Sequence, residues 1–509
     1  MPLDSTPLLI THLFVSKEIS KNLLGKMMER IEESKIKVIL YEAEDSLLDI
    51  DLKKPRVYIS LGKRWEDFKA LSSLPLHERK RWLHYNSPEE LQPVNLFSCW
   101  LKYTDPLPEN RSIPRNRFTS KTPLVSVFTA SYKSREKIQR PYRSLLNQTY
   151  QNWEWVIVDD SGDNDETYNQ FLVPLEDPRV RRYRQDNRNG YIGAIKRYAA
   201  GLCTGEILVE VDHDDELTPN CLEKIVQALQ QNPDCGFAYG DCTEVYVGSH
   251  HAQWYGWDCG FGYSTHYRVW IHQMNRWQNV HRHTTINGNT IRHLVGLPNH
   301  PRAWTRECYH LVGGHRSELL VADDYDMLVR TFLCTKFIAI PHLLYIQYRN
   351  ENGNNSTFIR NRQIQILVRE LRNYYHQRIY ERVRELGLPQ LLPYSRIWTT
   401  PVDSPARKSA HLINEDSSKV SFLFPIPYST HTKDYTQLFK TIQKGMKTNF
   451  EEFEVVVVGN VPSEIEDFAS KAPMGAIRWW PMEPNDSLET CIEYSKFCAS
   501  CIEKIVVLP

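Results

Sequence analysis

"EILVEVDHDDELTP" spans residues 206–219 and sets four carboxylates, Asp212, Asp214, Asp215 and Glu216, directly behind an apolar run. The run reads as a buried strand and the acids as the turn that ends it. Neighbouring carboxylates repel and lose hydration when a fold closes round them, so something cationic is expected to offset them. Upstream, "LVSVFTAS" (124–131) and "WEWVIVDDSGD" (153–163) read as two more buried strands, the second ending in Asp159 and Asp160. Helical patterns through "RPYRSLLNQ" (140–148) and "GYIGAIKRYAAGL" (190–202) separate the strands. Alternating strands and helices predict an α/β fold with a mostly parallel sheet, whose ligands sit at the carboxyl ends of the strands. Both acid clusters fall at such ends, so the fold is expected to bring them to one crevice.

The whole chain, at 509 residues, exceeds one ordinary core and predicts two or three domains. Its 62 basic and 62 acidic side chains cancel, which removes the global field that draws proteins to nucleic acid or anionic lipid. No apolar run approaches the ~20 residues of a transmembrane helix. The opening "MPLDSTPLLITHLFVSKE" carries Asp4 and lacks a basic leader with a small-residue cleavage site, which predicts a cytoplasmic protein. Eleven scattered cysteines fit reduced thiols in that compartment. The one close pair, Cys498 and Cys501, lacks the further ligands of a zinc site.

Residues 8–62 read strand, helix, strand, strand, and predict an N-terminal α/β accessory domain over residues 1–105. "PLPENRSIPRNRFTSKT" (106–122) has no apolar period and reads as a linker to a catalytic unit at 123–395. Within that unit, residues 360–386 place Ile364, Leu367, Val368, Leu371, Tyr375 and Ile379 on one helical face with arginines opposite. That predicts a closing helix with a solvated basic face, or else peripheral contact with a membrane surface or a lipid-linked acceptor. From residue 415, "KVSFLFPIP", "FEVVVVGN" and "EKIVVLP" recur in the order of "LVSVFTAS", "WEWVIVDD" and "EILVEVD". The copy has Gly459 and Asn460 in place of Asp159 and Asp160, so residues 415–509 are expected to form a partial second unit without the first one's chemistry. Its last strand stops where an acid cluster would begin, as in a truncated unit.

Four segments in this order, "PLVSVFTASYKS" (123–134), "VIVDDSGDNDE" (156–166), "VDHDDELTP" (211–219) and "VGGHRSELLVADDYDMLVR" (312–330), resemble the family 2 nucleotide-sugar glycosyltransferases of GT-A fold. The resemblance implies a GT-A catalytic domain that binds a nucleoside-diphosphate sugar, most often a UDP-sugar, through Mn or Mg. Independent chemistry agrees: a sugar diphosphate must be neutralised before it leaves, and a hard cation held by one or two carboxylates does this. By match to the motif, Asp214 is the expected metal ligand, with Asp212 sharing the metal or nearer the ribose. Asp215 and Glu216 are expected to orient or cap. Asp159 or Asp160 would accept hydrogen bonds from the base or ribose, with Thr129, Ser131 and Arg135 in the same pocket, and Arg349 is assigned to the diphosphate.

The family inverts the anomeric centre, so a general base is needed opposite the diphosphate. Asp324 is the implied base and Asp323 its alternative, unless the two merely cap the helix that follows. Where the family often carries a metal-binding histidine the chain reads "YIQYRNENGNNST" (345–357), which leaves Glu351, Asn352 or water as third ligand. The aromatic stretch 254–290 is the expected acceptor region, for a glycan or lipid-linked hydroxyl. His281 and His283 within it are read as hydrogen-bonded surface groups. A nucleotidyltransferase would need a Gly-rich loop after the first strand, and "TASYKSREK" (129–137) has none. A non-catalytic carbohydrate-binding or assembly protein is the remaining alternative.

Overall fold

The computed structural model describes residues 6–16, 19–42, 54–62, 74–107, 115–246, 266–349, 359–393, 396, 408–415, 419–426, 435–459, 461–481, 487–496, 499–501 and 503–508. The amino-terminal apolar runs form β1 (Leu9–Val15), α1 (Lys21–Glu33), β2 (Ile36–Glu42), β3 (Arg56–Leu61), β4 (Trp82–Tyr85) and α2 (Pro93–Thr104). The four strands pair in parallel in the order β2-β1-β3-β4. Every residue of β3 is buried, as expected of a parallel strand covered on both faces. Leu9, Trp100 and Leu101 of this unit share one continuous apolar core with Tyr309, Leu319 and Tyr375, so it is fused to its neighbour rather than hung beside it.

The next segment holds β5 (Val125–Ser131), α3 (Gln139–Leu146), β6 (Trp153–Asp159), β7 (Val180–Arg184), α4 (Ile192–Leu202), β8 (Ile207–Glu210) and β9 (Glu216–Leu217). It continues with α5 (Cys221–Gln231), β10 (Cys235–Tyr246), β11 (His266–Ile271), β12 (Arg276–His281), α6 (Gly288–His293), β13 (Arg302–Thr305) and α7 (Arg306–Leu311). Last come α8 (Asp323–Cys334), β14 (Lys336–Arg349), α9 (Asn361–Glu385) and β15 (His411–Ile413). Strands β8-β5-β6-β7 lie side by side in parallel, which brings the carboxyl ends of β5, β6 and β8 to one edge. The stretch expected as a linker is, over its described part, a strap on this domain: Arg115 pairs with Asp234 at 2.7 Å and the Thr119 amide donates to Glu206 at 2.7 Å.

The α9 helix departs in part from the expected solvated basic face. It packs against α2, α6 and α8. Arg372 donates to the carbonyl of Arg292 at 3.0 Å, Arg382 to that of Phe332 at 3.2 Å, and Arg378 pairs with Asp105 at 2.5 Å. These three arginines are spent on carbonyls and a carboxylate of neighbouring elements, while Arg362, Arg369 and Arg384 stay exposed.

The carboxyl-terminal runs form β16 (Val420–Ile426), α10 (Thr436–Lys447), β17 (Phe453–Gly459), α11 (Glu464–Ala469), β18 (Ile477–Trp480), α12 (Leu488–Ser495) and β19 (Ile505–Val507). Their parallel order, β19-β16-β17-β18, repeats β8-β5-β6-β7. A buried network repeats with it. Glu154 accepts from Ser126 at 2.6 Å and from the Thr204 amide at 2.5 Å, and pairs with Arg181 at 2.8 Å. Glu454 accepts from Ser421 at 2.7 Å and from the Ser500 amide at 2.6 Å, and pairs with Arg478 at 3.2 Å. Strand β18 pairs antiparallel with β11, joining both units in one 15-stranded sheet. Five antiparallel steps separate β8 from β18, through β13, β10, β12 and β11, so the repeat's strands run opposite to β5, β6 and β8. Cys498 lies outside the described residues, and Cys501 is buried.

Candidate active site

The apolar run Ile207–Val209 is extended and buried, and the first charged residue on it, Glu210, is still part of the strand. Past β8 the chain turns and the four acids diverge. Asp212 and Asp214 line a cavity of about 450 Å³ at the carboxyl edge of the sheet, and Asp215 meets its inner wall. Asp215 accepts from the Tyr345 hydroxyl at 2.9 Å and the Tyr348 amide at 2.7 Å. Burial, and then the charges of Asp214 and Asp212, push its pKa well above the usual carboxylate range. Glu216 accepts from the Tyr348 hydroxyl at 3.1 Å. These two acids therefore tie the turn to β14, while Asp212 and Asp214 line the cavity.

Behind them lies a charge cluster that the sequence reading missed. Lys196, on the inner face of α4, reaches Glu210 at 2.6 Å and Asp323 at 3.5 Å. Glu210 also lies 3.5 Å from His315, 3.4 Å from His300 and 3.7 Å from Arg302. Burial opposes the charge on Glu210, but Lys196 and hydrogen bonds from His300 and His315 outweigh it and hold its pKa well below normal. The available signal was one acid inside the apolar "EILVEV" and one lysine on the buried face of a helix.

The acidic pair opens α8 and lines the same cavity. Asp324 lies 3.3 Å from Arg302 and accepts from the Tyr325 amide at 2.7 Å. Asp323 is more deeply buried, and burial raises its pKa against the pull of Lys196. Both acids stand in the first helical turn, where the helix dipole favours negative charge, and they still line the cavity.

Of the residues expected around the donor, Ser131, Asp160 and Arg349 line the cavity. Asp160 accepts from the amides of Asn189 at 2.6 Å and Gly190 at 2.8 Å, and burial raises its pKa in spite of them. Three others stand apart from the lining. Thr129 is turned into the sheet, donating to the Val211 carbonyl at 2.7 Å and accepting from Trp155 at 2.9 Å. Asp159 is fully buried and bound to Ser161 at 2.6 Å. Arg135 is exposed and lies 3.6 Å from Glu166. Arg349 pairs with Glu244 at 2.7 Å, so its charge is already matched.

Two arginines absent from the sequence reading line the cavity beside Asp160. Arg188 lies over the Tyr132 ring at 4.3 Å. Arg360 is buried just ahead of α9 and donates to the Leu320 carbonyl at 3.5 Å. Burial and then the Arg188 charge lower its pKa. Two guanidiniums lining one cavity suit an anionic ligand.

The donor set fits a divalent cation. Ligand atoms of Glu210, Asp212 and His300 lie within 4.8 Å of one another, and Glu210 is committed to Lys196, which leaves Asp212 and His300 with Asp214 nearby. His300 stacks on Tyr345 at 4.8 Å and comes from the loop ahead of β13, not from the segment after β14 where a third ligand was sought. Glu351 and Asn352 lie outside the described residues.

The expected acceptor region is divided. Residues 254–265 lie outside the described residues. Trp270 and Trp277 pack into the core of the carboxyl-terminal repeat, and Trp277 meets Trp479 at 5.6 Å, so these aromatics form a seam between units. His281 and His283 are buried rather than on the surface, and His283 pairs with Asp241 at 3.0 Å. The cavity wall is formed instead by Val295, Gly296 and Asn299.

Residues 126–294 match the family model "Glycosyl transferase family 2". The colanic acid biosynthesis glycosyl transferase WcaA of Escherichia coli K12 is 34% identical over 119 residues, 23% of this chain and 42% of that protein. The UDP-Glc:alpha-D-GlcNAc-diphosphoundecaprenol beta-1,3-glucosyltransferase WfgD of Escherichia coli is 28% identical over 118 residues, 23% of this chain and 45% of that protein. The solved structure of S. aureus TarS with UDP-GlcNAc overlaps 54% of this chain and 69% of its own at a TM-score of 0.35 and 14% identity, too distant to carry an argument. The chain spans less than half the length of these two curated relatives. Residues 126–294, about a third of the chain, thus match the family 2 glycosyltransferase model, and the motif acids Asp160, Asp212, Asp214, Asp323 and Asp324 line one cavity.

Proposed function

We propose that this protein is a metal-dependent inverting glycosyltransferase that moves a sugar from a nucleoside diphosphate, most simply UDP, to a hydroxyl of a glycan or lipid-linked acceptor. The observation that carries the reading is the convergence of Asp212 and Asp214 with Asp323 and Asp324 on one cavity. The names of WcaA and WfgD, which include colanic acid biosynthesis, UDP-Glc and a diphosphoundecaprenol, support the substrate classes.

Ser131, Tyr132 and Asp160 would hold the nucleoside, Asp160 accepting hydrogen bonds from ribose or base. Arg188 and Arg360 would meet the phosphates in place of Arg349. Asp212, Asp214 and His300 would hold Mn or Mg, which when bound offsets the charge of the departing diphosphate. Asp324 takes the proton of the acceptor hydroxyl as its oxygen bonds to the anomeric carbon. The bond from that carbon to the diphosphate breaks in the same displacement, and the electron pair leaves with the phosphate oxygen. Arg302 keeps Asp324 aimed and charged, while Lys196 and Glu210 fix Asp323 behind it. Among the described residues no helix is long and apolar enough to cross a membrane, and action at the cytoplasmic face is part of this proposal.

The test is a panel of sugar nucleotides with Mn or Mg, read as release of free nucleoside diphosphate and as thermal shift. Release from one donor, with the product of inverted anomeric configuration, is the expected result. Metal binding without release or transfer from any donor would make the protein a carbohydrate-binding module instead.

A further inference from the structure

The loop 312–322, which joins α7 to α8, ends in a strained residue. Ala322 has φ +57° and ψ +24°, a left-handed conformation that an L-residue adopts at a cost, and it delivers Asp323 and Asp324 to the cavity. Such backbone persists where its surroundings over-determine it. Arg197, Arg330 and Arg360 donate to carbonyls of the loop, and the amino-terminal unit supplies further anchors. Glu318 accepts from both terminal nitrogens of Arg81, at 3.1 and 3.0 Å, and from the Trp100 indole at 2.7 Å. Arg81 immediately precedes β4, and Trp100 lies on α2.

A second anchor stands two residues earlier. Arg316, only 3% exposed, donates to the Leu101 carbonyl at 3.0 Å and the Thr104 hydroxyl at 2.8 Å on α2. Its other nitrogen donates to the Tyr375 hydroxyl at 2.9 Å and lies 3.1 Å from Asp326, one turn into α8. The loop's remaining sides are equally confined. A Cβ on Gly313, which has φ +84°, would collide with Pro106, and one on Gly193 of α4 would collide with the Arg316 carbonyl. The described residues of the amino-terminal unit do not line the cavity; they reach it through this loop and through α9, which packs on α2 and sets Arg360 and Ile364 on the lining.

We infer that the amino-terminal α/β unit is part of the transfer machinery, holding the strained 312–322 loop through the positioning residues Glu318 and Arg316 so that Asp323 and Asp324 face the cavity. The inference rests on the reading of that pair as the base. Releasing the anchor lets Ala322 relax and turns the carboxylates by a fraction of an ångström or more, which lowers the chemical step and leaves donor binding alone.

The experiment uses the full chain with Arg81→Met and Glu318→Gln, each alone and each combined with Ala322→Gly. Glycine adopts a positive φ without the side-chain clash and so lessens the need for an anchor. Expected is a fall in kcat of roughly tenfold or more in the single variants, donor affinity by calorimetry within about twofold of wild type, and substantial recovery of kcat with Ala322→Gly. Wild-type kcat in folded Arg81→Met and Glu318→Gln overturns the inference, as does a loss of kcat that merely tracks the unfolded fraction by circular dichroism. An active wild type with unimpaired variants sinks the inference alone, whereas a wild type silent toward every donor sinks the catalytic reading with it.

Discussion

Asp212 and Asp215 lie three residues apart and meet different surroundings. His300 and Lys196 outweigh the burial of Asp212 and lower its pKa, while burial and two like charges raise that of Asp215, which is bound to Tyr345 and Tyr348. One acid stays ionised at the cavity, the other ties the turn to β14. Replacing Asp214 by Ala is therefore expected to weaken donor binding in Mn by at least about tenfold, read by calorimetry. Equal affinity in the variant and wild type would remove Asp214 from the metal site. Asp324→Asn preserves shape and the hydrogen bond from Tyr325 but cannot take a proton, so kcat should fall by roughly 10² to 10⁴ with donor affinity kept. Retained turnover would pass the role to Asp323. The motif residues were legible because charge at a strand end is a local pattern. Lys196, His300 and Arg360 were not, since each reaches the cavity from a separate element.

At the level of elements, the repeated Ser–Glu–Arg network explains why β16 and β17 copy β5 and β6 after the acids are gone. Each glutamate satisfies a serine and a loop amide next to the strand pair, so the network specifies strand order independently of chemistry. Burial pushes the Glu154 pKa up, but hydrogen bonds from Ser126 and Thr204 and the Arg181 charge hold it at about 2. A carboxylate whose folded pKa is depressed contributes stability that is complete above its unfolded value and lost as pH falls toward the folded one. Glu154→Gln should thus lower Tm at neutral pH and make Tm less steep between pH 4.5 and about 2, in thermal melts compared with wild type. An unchanged acid slope would show that the network carries little of the acid sensitivity.

For the whole molecule, one core joins the amino-terminal unit to the central α/β unit and one sheet joins that unit to the repeat. Burial holds His12, His281, His283 and His293 at a pKa of about 4, against an ordinary 6.5. Because these groups take up protons on unfolding, their contribution is complete above pH 6.5 and declines as pH falls toward about 4. Denaturant melts at pH 7.5 and pH 5 should show the lower stability at pH 5, and equal stability at the two would contradict this account of the seams. The sequence by itself determined the strand-and-helix alternation, the repeat and the acids at strand ends, because side-chain periodicity and turn chemistry act over a few neighbouring residues. It left Arg372, Arg378 and Arg382 looking solvent-facing, since the carbonyls and the carboxylate they meet are far away in the chain. Only the tertiary structure decided that Arg81 steadies a loop beyond residue 310, that Glu210 is answered by Lys196, and that the repeat's strands run opposite to the first unit's. Those are long-range pairings, fixed by closure of the core rather than by local propensity.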